Sequence, residues 1–298
     1  MQWCEMKPNR RPNLFIIGAM KSGTTSLHTW LGGHPQIFMC TPKEPNYFLE
    51  EFNWSKGEGW HLNLFAASSG EPIIGESSVS YAKAPTFDGV PQRISKFNPE
   101  ARFIYIMRDP VERTISHYWH AVRHQAERRD MFTAVRETPH FRYVSHYSAQ
   151  LSRYHDYFGP ERIFPITLEE LVGDSAKVLH HLFTWLGVDP SFDVTPRSQP
   201  RNVTPQQVTQ VRGVLHRLHT SPVWRVVEPL VPHALRRVGR QLATKRIDRG
   251  SQPVTETAEF LRPIQLEQTR ELSTLLGRPF PEWETLSGKK TIKDSIIN

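Results

Sequence analysis

Residues 18–26 read GAMKSGTTS and follow directly on the apolar run LFII at 14–17. A short apolar run that ends in a glycine-containing turn predicts a buried parallel strand. Beyond the turn, Leu27, Trp30 and Leu31 recur at helical spacing, and Gly32, Gly33 and Pro35 stop that helix. The backbone amides of Ser22, Gly23, Thr24 and Thr25 then open a helix, where unpaired N–H groups and the helix dipole favour an anion. Thr24, Thr25 and Ser26 add hydroxyl donors. The nucleotide-triphosphate pattern G-x-x-x-x-G-K-[ST] has the same glycine separation as Gly18 and Gly23, but there a lysine follows the second glycine. Here Thr24 follows it, and the lysine, Lys21, sits inside the loop. An ammonium placed that early lies nearer the first phosphate and whatever is attached to it. The plainer alternative is a strand-to-helix turn with a solvated lysine.

The same alternation continues downstream. IIGES (73–77), RFIYIMR (102–108) and IFPIT (163–167) are strand candidates. Between them fall helix candidates: PQRISKF (91–97), the segment from Pro110 through VERTISHYWHAVRHQ, and SHYSAQLSRYHDYF ending at Gly159. SAKVLHHLFTWL, capped by Asp174, stops at Gly187. Strands alternating with helices imply an α/β fold, with a P-loop-like central parallel sheet flanked by helices. After about residue 193 the strand signals vanish. Proline-rich loops and basic amphipathic helices follow, then a last helix near 264–276 and the tail SGKKTIKDSIIN, expected to fray. The chain divides into a core at 1–193 and a helical C-terminal extension of the same domain at 194–298.

The chain has 298 residues, of which 38% are hydrophobic, enough for one large α/β domain with an elaboration. Two cysteines, Cys4 and Cys40, give no disulfide framework and favour a reducing compartment. No h-region and no long apolar run is legible, so neither a signal peptide nor a membrane span is expected, and the reading is cytoplasmic. The formal charge of +7 resides in residues 211–250, where eight Arg and one Lys oppose Glu228 and Asp248. Such an excess attracts an anionic partner without naming it.

A second segment, RDPVERTISHY (108–118), sharpens the reading. A guanidinium at a strand end can hold a phosphate monoester bidentately, and a hydroxyl on the following helix can complete the shell. Arg-Asp-Pro alone is weak, since a buried Arg–Asp pair at a strand end is common. Together the two motifs resemble sulfotransferases that use 3′-phosphoadenosine-5′-phosphosulfate (PAPS) and release 3′-phosphoadenosine-5′-phosphate (PAP). The resemblance covers residues 13–190 well. Further on, RNVTP and LLGRPFPEW are similar to bacterial sulfotransferase-domain proteins. It implies a 5′-phosphosulfate loop at residues 18–26 and a 3′-phosphate site at Arg108 and Ser116, with Arg197 and Arg201 closing over the nucleotide from a late loop.

Sulfuryl transfer needs an in-line nucleophile, stabilisation of the bridging oxygen and a base for the acceptor's proton. Positioning and electrostatics supply most of the rate. The resemblance gives the bridging oxygen to Lys21. It gives the base to Glu44 in KEPNYF (43–48), a segment similar to the glutamate loop of heparan-sulfate-type enzymes. The bland reading pairs Glu44 with Lys43 on an exposed loop. Two departures argue against a glycosaminoglycan acceptor: Ser77 stands where the heparan-type pattern carries a lysine, and Thr25 where an arginine is frequent.

His117, His120 and His124 share a helix face, expected to line the cleft or meet solvent rather than bind a metal, for which no thiolate or carboxylate pattern is present. His180 and His181 are adjacent and point apart. Residues 223–242, VWRVVEPLVPHALRRVGRQL, read as helices with one buried face, or as an acceptor lid or membrane-surface helix delivering a lipophilic acceptor. No nucleic-acid motif accompanies the charge. The expected acceptor is a hydroxyl, or an amine, of a small molecule, glycan, natural product or lipid-like compound. The competing readings are a P-loop-like kinase using ATP and magnesium and a nucleotide-binding module without turnover.

Overall fold

Strand β1, Leu14–Gly18, is buried along its whole length because helices cover both faces of its sheet. The side-chain alternation of a strand divides its residues between two cores. Phe15 and Ile17 join one cluster and Leu14 and Ile16 the other. The same division holds in β4, Arg102–Met107, where Phe103, Tyr105 and Met107 face one way and Ile104 and Ile106 the other. The computed structural model describes residues 11–124, 127–194, 207–211 and 244–292.

Five parallel strands form the sheet, in the order β2-β3-β1-β4-β5. Strand β2 is Ile37–Met39, β3 is Ile73–Ser77 and β5 is Ile163–Thr167. Helices α1 (Thr24–Leu31) and α9 (Ser175–Leu186) pack on one face. On the other lie α3 (Val90–Phe97), α4 (Pro110–His124), α7 (Tyr147–Phe158) and α10 (Val254–Leu276). The shorter helices are α2 (Gly57–Asn63), α5 (Met131–Glu137), α6 (His140–Tyr143) and α8 (Leu168–Gly173). This is the P-loop-like α/β architecture the sequence implies.

The element ends follow their capping chemistry. Asp109 Oδ1 accepts from the N–H groups of Val111 (3.0 Å) and Glu112 (3.3 Å), which starts α4. Asp174 accepts from Lys177 N at 3.0 Å and starts α9, which Gly187 ends in a left-handed conformation. Three expectations need correction. The edge strand β2 escaped notice because three residues carry no period. The strand signals do not end at residue 193, because β6 (Gln207–Val211) and β7 (Thr244–Asp248) pair antiparallel. Their sequences, QVTQV and TKRID, contain no apolar run. The last helix starts at Val254 rather than near 264 and continues through Pro263. In the described part of the tail, residues 287–292, Ile292 is buried rather than frayed; residues 293–298 lie outside the described residues. The basic stretch 223–242 lies outside the described residues.

Candidate functional site

The loop between β1 and α1 is shaped by two glycines. A Cβ on Gly18 would stand 2.7 Å from Tyr105 Cε2, so only glycine lets strand β1 end there. Gly23, at φ +89°, begins α1, and its own Cβ would lie 2.8 Å from Leu168 Cδ1. No side chain caps α1. The Thr24 and Thr25 N–H groups therefore lack an intrahelical partner at a helix end that carries partial positive charge, while Ser26 N donates to the Gly23 carbonyl at 3.1 Å. Ser22 is fully buried and its Oγ has no hydrogen-bond partner. Thr24 is buried beside it, while Thr25 and Ser26 are half-buried. A buried hydroxyl without a partner, next to uncapped amides, fits an anionic ligand. Lys21 adopts φ +72°, a left-handed conformation that costs a residue with a Cβ about 1–2 kcal/mol. Burial, Arg108 and Arg123 together lower its ammonium pKa.

At the β4–α4 junction, Arg108 does not pair with Asp109. The Asp109 carboxyl is turned inward as the cap of α4, also accepts from Leu286 N at 2.9 Å, and is raised by burial to about 6. Arg108 instead donates from Nη2 to Glu112 Oε2 at 2.7 Å, with both side chains partly exposed. Thr285 Oγ1 donates to the other Glu112 oxygen at 3.0 Å. Tyr147 OH donates to the Arg108 carbonyl at 2.7 Å. Glu112, Ser116, His120 and His124 follow at intervals of four along α4, so they form one slowly drifting stripe. Ser116 is thus one turn beyond the carboxylate that holds Arg108.

The Glu44 loop is fixed by its backbone. Glu44 N donates to the Ser77 carbonyl at 2.9 Å, and Asn46 N to Ser78 Oγ at 3.1 Å. Glu44 and Asn46 both have positive φ, 64° and 49°. Two of the three such non-glycine residues among those described are Lys21 and Glu44, and left-handed residues of this kind gather at functional sites. The carboxylate pairs with Lys43 Nζ at 2.6 Å, which is the contact of the bland reading. It is not an isolated surface pair, however. The charges of Lys43 and Glu44 both act on His28, lowered to about 4 chiefly by burial. His120 is lowered to about 4, first by burial and then by Lys21, His124 and Lys83, with Glu44 opposing.

Lys21, Lys83 and Arg108 follow the carboxyl ends of β1, β3 and β4, and Glu44 is hydrogen-bonded to that of β3. All four therefore border the edge at which open α/β sheets bind ligands, here called the cleft. Lys21, Glu44 and Lys83 converge on His120, and Lys21 also senses Arg108. The three α4 histidines divide. His120 and His124 lie on the cleft side with rings 4.7 Å apart, whereas His117 is buried and accepts from Arg113 Nη1 at 3.3 Å. No group of three metal-ligating side chains occurs among the described residues. Sequence reasoning did not single out Lys83, His28 or Arg123. The signal for Lys83 was available: it is the first charged residue after Glu76 at the carboxyl end of a central strand, where open α/β sheets bind ligands. Ser77 is fully buried and its hydroxyl has no partner. Arg197 and Arg201 lie outside the described residues.

The stretch LLGRPFPEW is structural. Arg278 pairs with Glu170 and Glu282, and Phe280 stacks on Trp283 at 4.2 Å. Through Thr285 and Leu286 the segment then reaches Glu112 and Asp109. It thus steadies the junction that carries Arg108.

Residues 63–193 match the Sulfotransferase family. Over 202 residues the chain is 27% identical to the bifunctional heparan sulfate N-deacetylase/N-sulfotransferase 4 of Mus musculus, an alignment covering 61% of this chain and 23% of that protein. It is 36% identical over 110 residues to the membrane-associated sulfotransferase kil1 of Dictyostelium discoideum, covering 36% of this chain and 22% of that one. The chain thus spans about a quarter of the length of these curated relatives. Among solved structures, a sulfotransferase from Alicyclobacillus acidocaldarius superposes with a TM-score of 0.65 at 25% identity, over 92% of this chain and 99% of that one. No helix among the described residues is long and apolar enough to cross a membrane.

Proposed function

From the sulfotransferase-family domain that residues 63–193 carry, we infer that this chain transfers a sulfuryl group from PAPS to a hydroxyl or amine of a carbohydrate, natural-product or lipid-like acceptor. The observation that carries the reading is the approach of two anion-binding junctions. The loop bearing Lys21 follows β1 and Arg108 follows β4, the neighbouring parallel strand, and the Arg108 charge acts on Lys21. A nucleotide with phosphate at its 3′ and 5′ positions is a ligand that needs both.

Each residue then has a role. The uncapped amides of α1 and the hydroxyls of Ser22, Thr24, Thr25 and Ser26 hold the 5′-phosphosulfate. Arg108, with Ser116 one turn past its carboxylate partner, holds the 3′-phosphate. Bound PAPS supplies the activated sulfuryl group. Glu44 accepts the acceptor's proton as the acceptor atom bonds to sulfur and the bond from sulfur to the 5′-phosphate oxygen breaks, leaving PAP. Lys21 faces that oxygen as it gains charge. The 2.6 Å pair with Lys43 orients the Glu44 carboxylate until an acceptor displaces it.

Calorimetric titration tests the reading directly. PAP is expected to bind without metal and more tightly than ATP with magnesium. The reverse preference, with a magnesium requirement, would make the chain a kinase. A screen of acceptor classes with radiolabelled PAPS then identifies the acceptor. Once an acceptor is known, Glu44→Gln is expected to lower turnover by about 10²–10⁴-fold while PAP affinity stays within about threefold. An unchanged rate would move the base elsewhere.

A further inference from the structure

Lys83 has no part in the roles assigned above, yet the fold delivers it to the same cleft. The turn Val79–Ala82 follows β3 and packs on the end of β1, where a Cβ on Gly18 would approach Ala82 Cβ to 3.3 Å. Lys83 terminates that turn. Glu44 is tied to the same strand end through the Ser77 carbonyl, so residues 44 and 83 flank one point from two loops. The Lys83 side chain is half-buried, and Nζ donates to Ser80 Oγ at 3.2 Å.

The cations of the cleft differ in how they are compensated. Lys43 is committed to Glu44, and Arg108 to Glu112. Lys83 and Lys21 form no ion pair among the described residues. Burying an ammonium without a counter-ion is costly unless its solvation is replaced, and the cost shows in both amines. Lys83 is lowered to about 8, chiefly by burial, with Arg113 and Lys43 adding to the fall and Glu44 opposing it. An arriving anion removes the penalty for both.

Resting on the transfer reading above, we propose that Lys83 is a second sulfuryl-binding cation, its ammonium holding the terminal oxygens of the transferring group while Lys21 faces the bridging oxygen. The placement supports the donor's sulfuryl group rather than an anionic group on the acceptor. The turn that Lys83 ends packs on Gly18, where the Lys21 loop begins, and Glu44 is hydrogen-bonded to the strand end from which that turn leaves. Lys83 thus stands on the segment that joins the proposed base to the proposed leaving-group cation, and all three charges act on His120. The transferring sulfuryl group passes from the side of the leaving-group cation to that of the base. A charge-assisted hydrogen bond there is worth about 1.5–3 kcal/mol.

Comparing two nucleotides that differ only in the sulfuryl group isolates this role. In Lys83→Gln, PAPS affinity is expected to fall about tenfold or more with PAP affinity unchanged, and Lys83→Arg should keep most of the PAPS preference. Equal losses for both nucleotides, or none, would overturn the proposal and leave the transfer reading standing. If the wild-type protein bound neither nucleotide, the transfer reading would fail and the proposal with it. A second measurement needs no variant. Acetylation of Lys83 in the wild-type protein, followed by mass spectrometry, should be slowed by PAPS and not by PAP. Equal protection by both would assign Lys83 to nucleotide binding in general and sink the idea.

Discussion

Lys21→Ala is expected to lower sulfuryl transfer by roughly 10²–10³-fold, the usual effect of removing one preorganised donor from a developing charge. The loss should fall mainly on the chemical step. In the ground state the 5′-phosphosulfate is also held by the α1 amides and several hydroxyls, whereas charge on the bridging oxygen appears only as the bond to sulfur breaks. The ammonium is held at φ +72° with its pKa lowered by burial, Arg108 and Arg123, so the free protein bears a cost that anion binding relieves. Alanine cannot relieve the backbone part of that cost, but glycine can. Lys21→Gly should therefore match the activity loss of alanine while keeping stability within about 1 kcal/mol of wild type. Single-turnover rates with radiolabelled PAPS, set beside PAP titration and thermal unfolding, separate these effects. A Lys21→Gly enzyme that kept its rate would show that the loop needs only the backbone shape at this position.

Much of this arrangement is legible in the sequence because local chemistry dictates it. Gly23 is required by a positive φ, a constraint local to a strand-to-helix turn, whereas Gly18 is required by the close approach of Tyr105 from β4. Asp109-Pro110 announces the start of α4, and Gly159 and Gly187 announce helix ends. What the sequence hides is tertiary. The Arg108 partner is Glu112 and not the adjacent Asp109, because the carboxyl end of the chain supplies Leu286 N to Asp109 and Thr285 to Glu112. The His117, His120 and His124 face looks uniform in sequence. Only the packing of α6 against α4, which sets Phe141 beside His117, turns His117 into the core next to Arg113 of its own helix and leaves His120 among the cleft charges. Lys83 was overlooked because it reaches the neighbourhood of Glu44 from a separate loop that no periodicity connects to it. The β6–β7 pair was missed because QVTQV and TKRID lack the apolar signature of a core strand.

Arg108→Ala is expected to weaken PAP binding by about 1.5–3 kcal/mol, roughly ten- to a hundredfold, and to leave adenosine 5′-phosphosulfate, which lacks the 3′-phosphate, nearly unaffected. Of the Arg108 guanidinium nitrogens, Nη2 alone has a hydrogen-bond partner among the described residues, so the other donors can meet a phosphate without breaking the pair with Glu112. That pair fixes the guanidinium before ligand arrives, at low entropic cost, because Glu112 is itself held by Thr285. Removing the arginine also strips the counter-charge from Glu112 and leaves a carboxylate beside the phosphate site, which works in the same direction as the lost hydrogen bonds. The discrimination between the two nucleotides should therefore shrink by the whole of the PAP loss. Thr285→Val, which only loosens Glu112, should give a smaller loss of the same kind, with an unchanged response to the 3′-dephospho analogue. If Arg108→Ala weakened both nucleotides equally, the guanidinium would be steering anions by long-range attraction rather than reading the 3′-phosphate, and the α4 stripe from Glu112 to His120 would have to be reassigned.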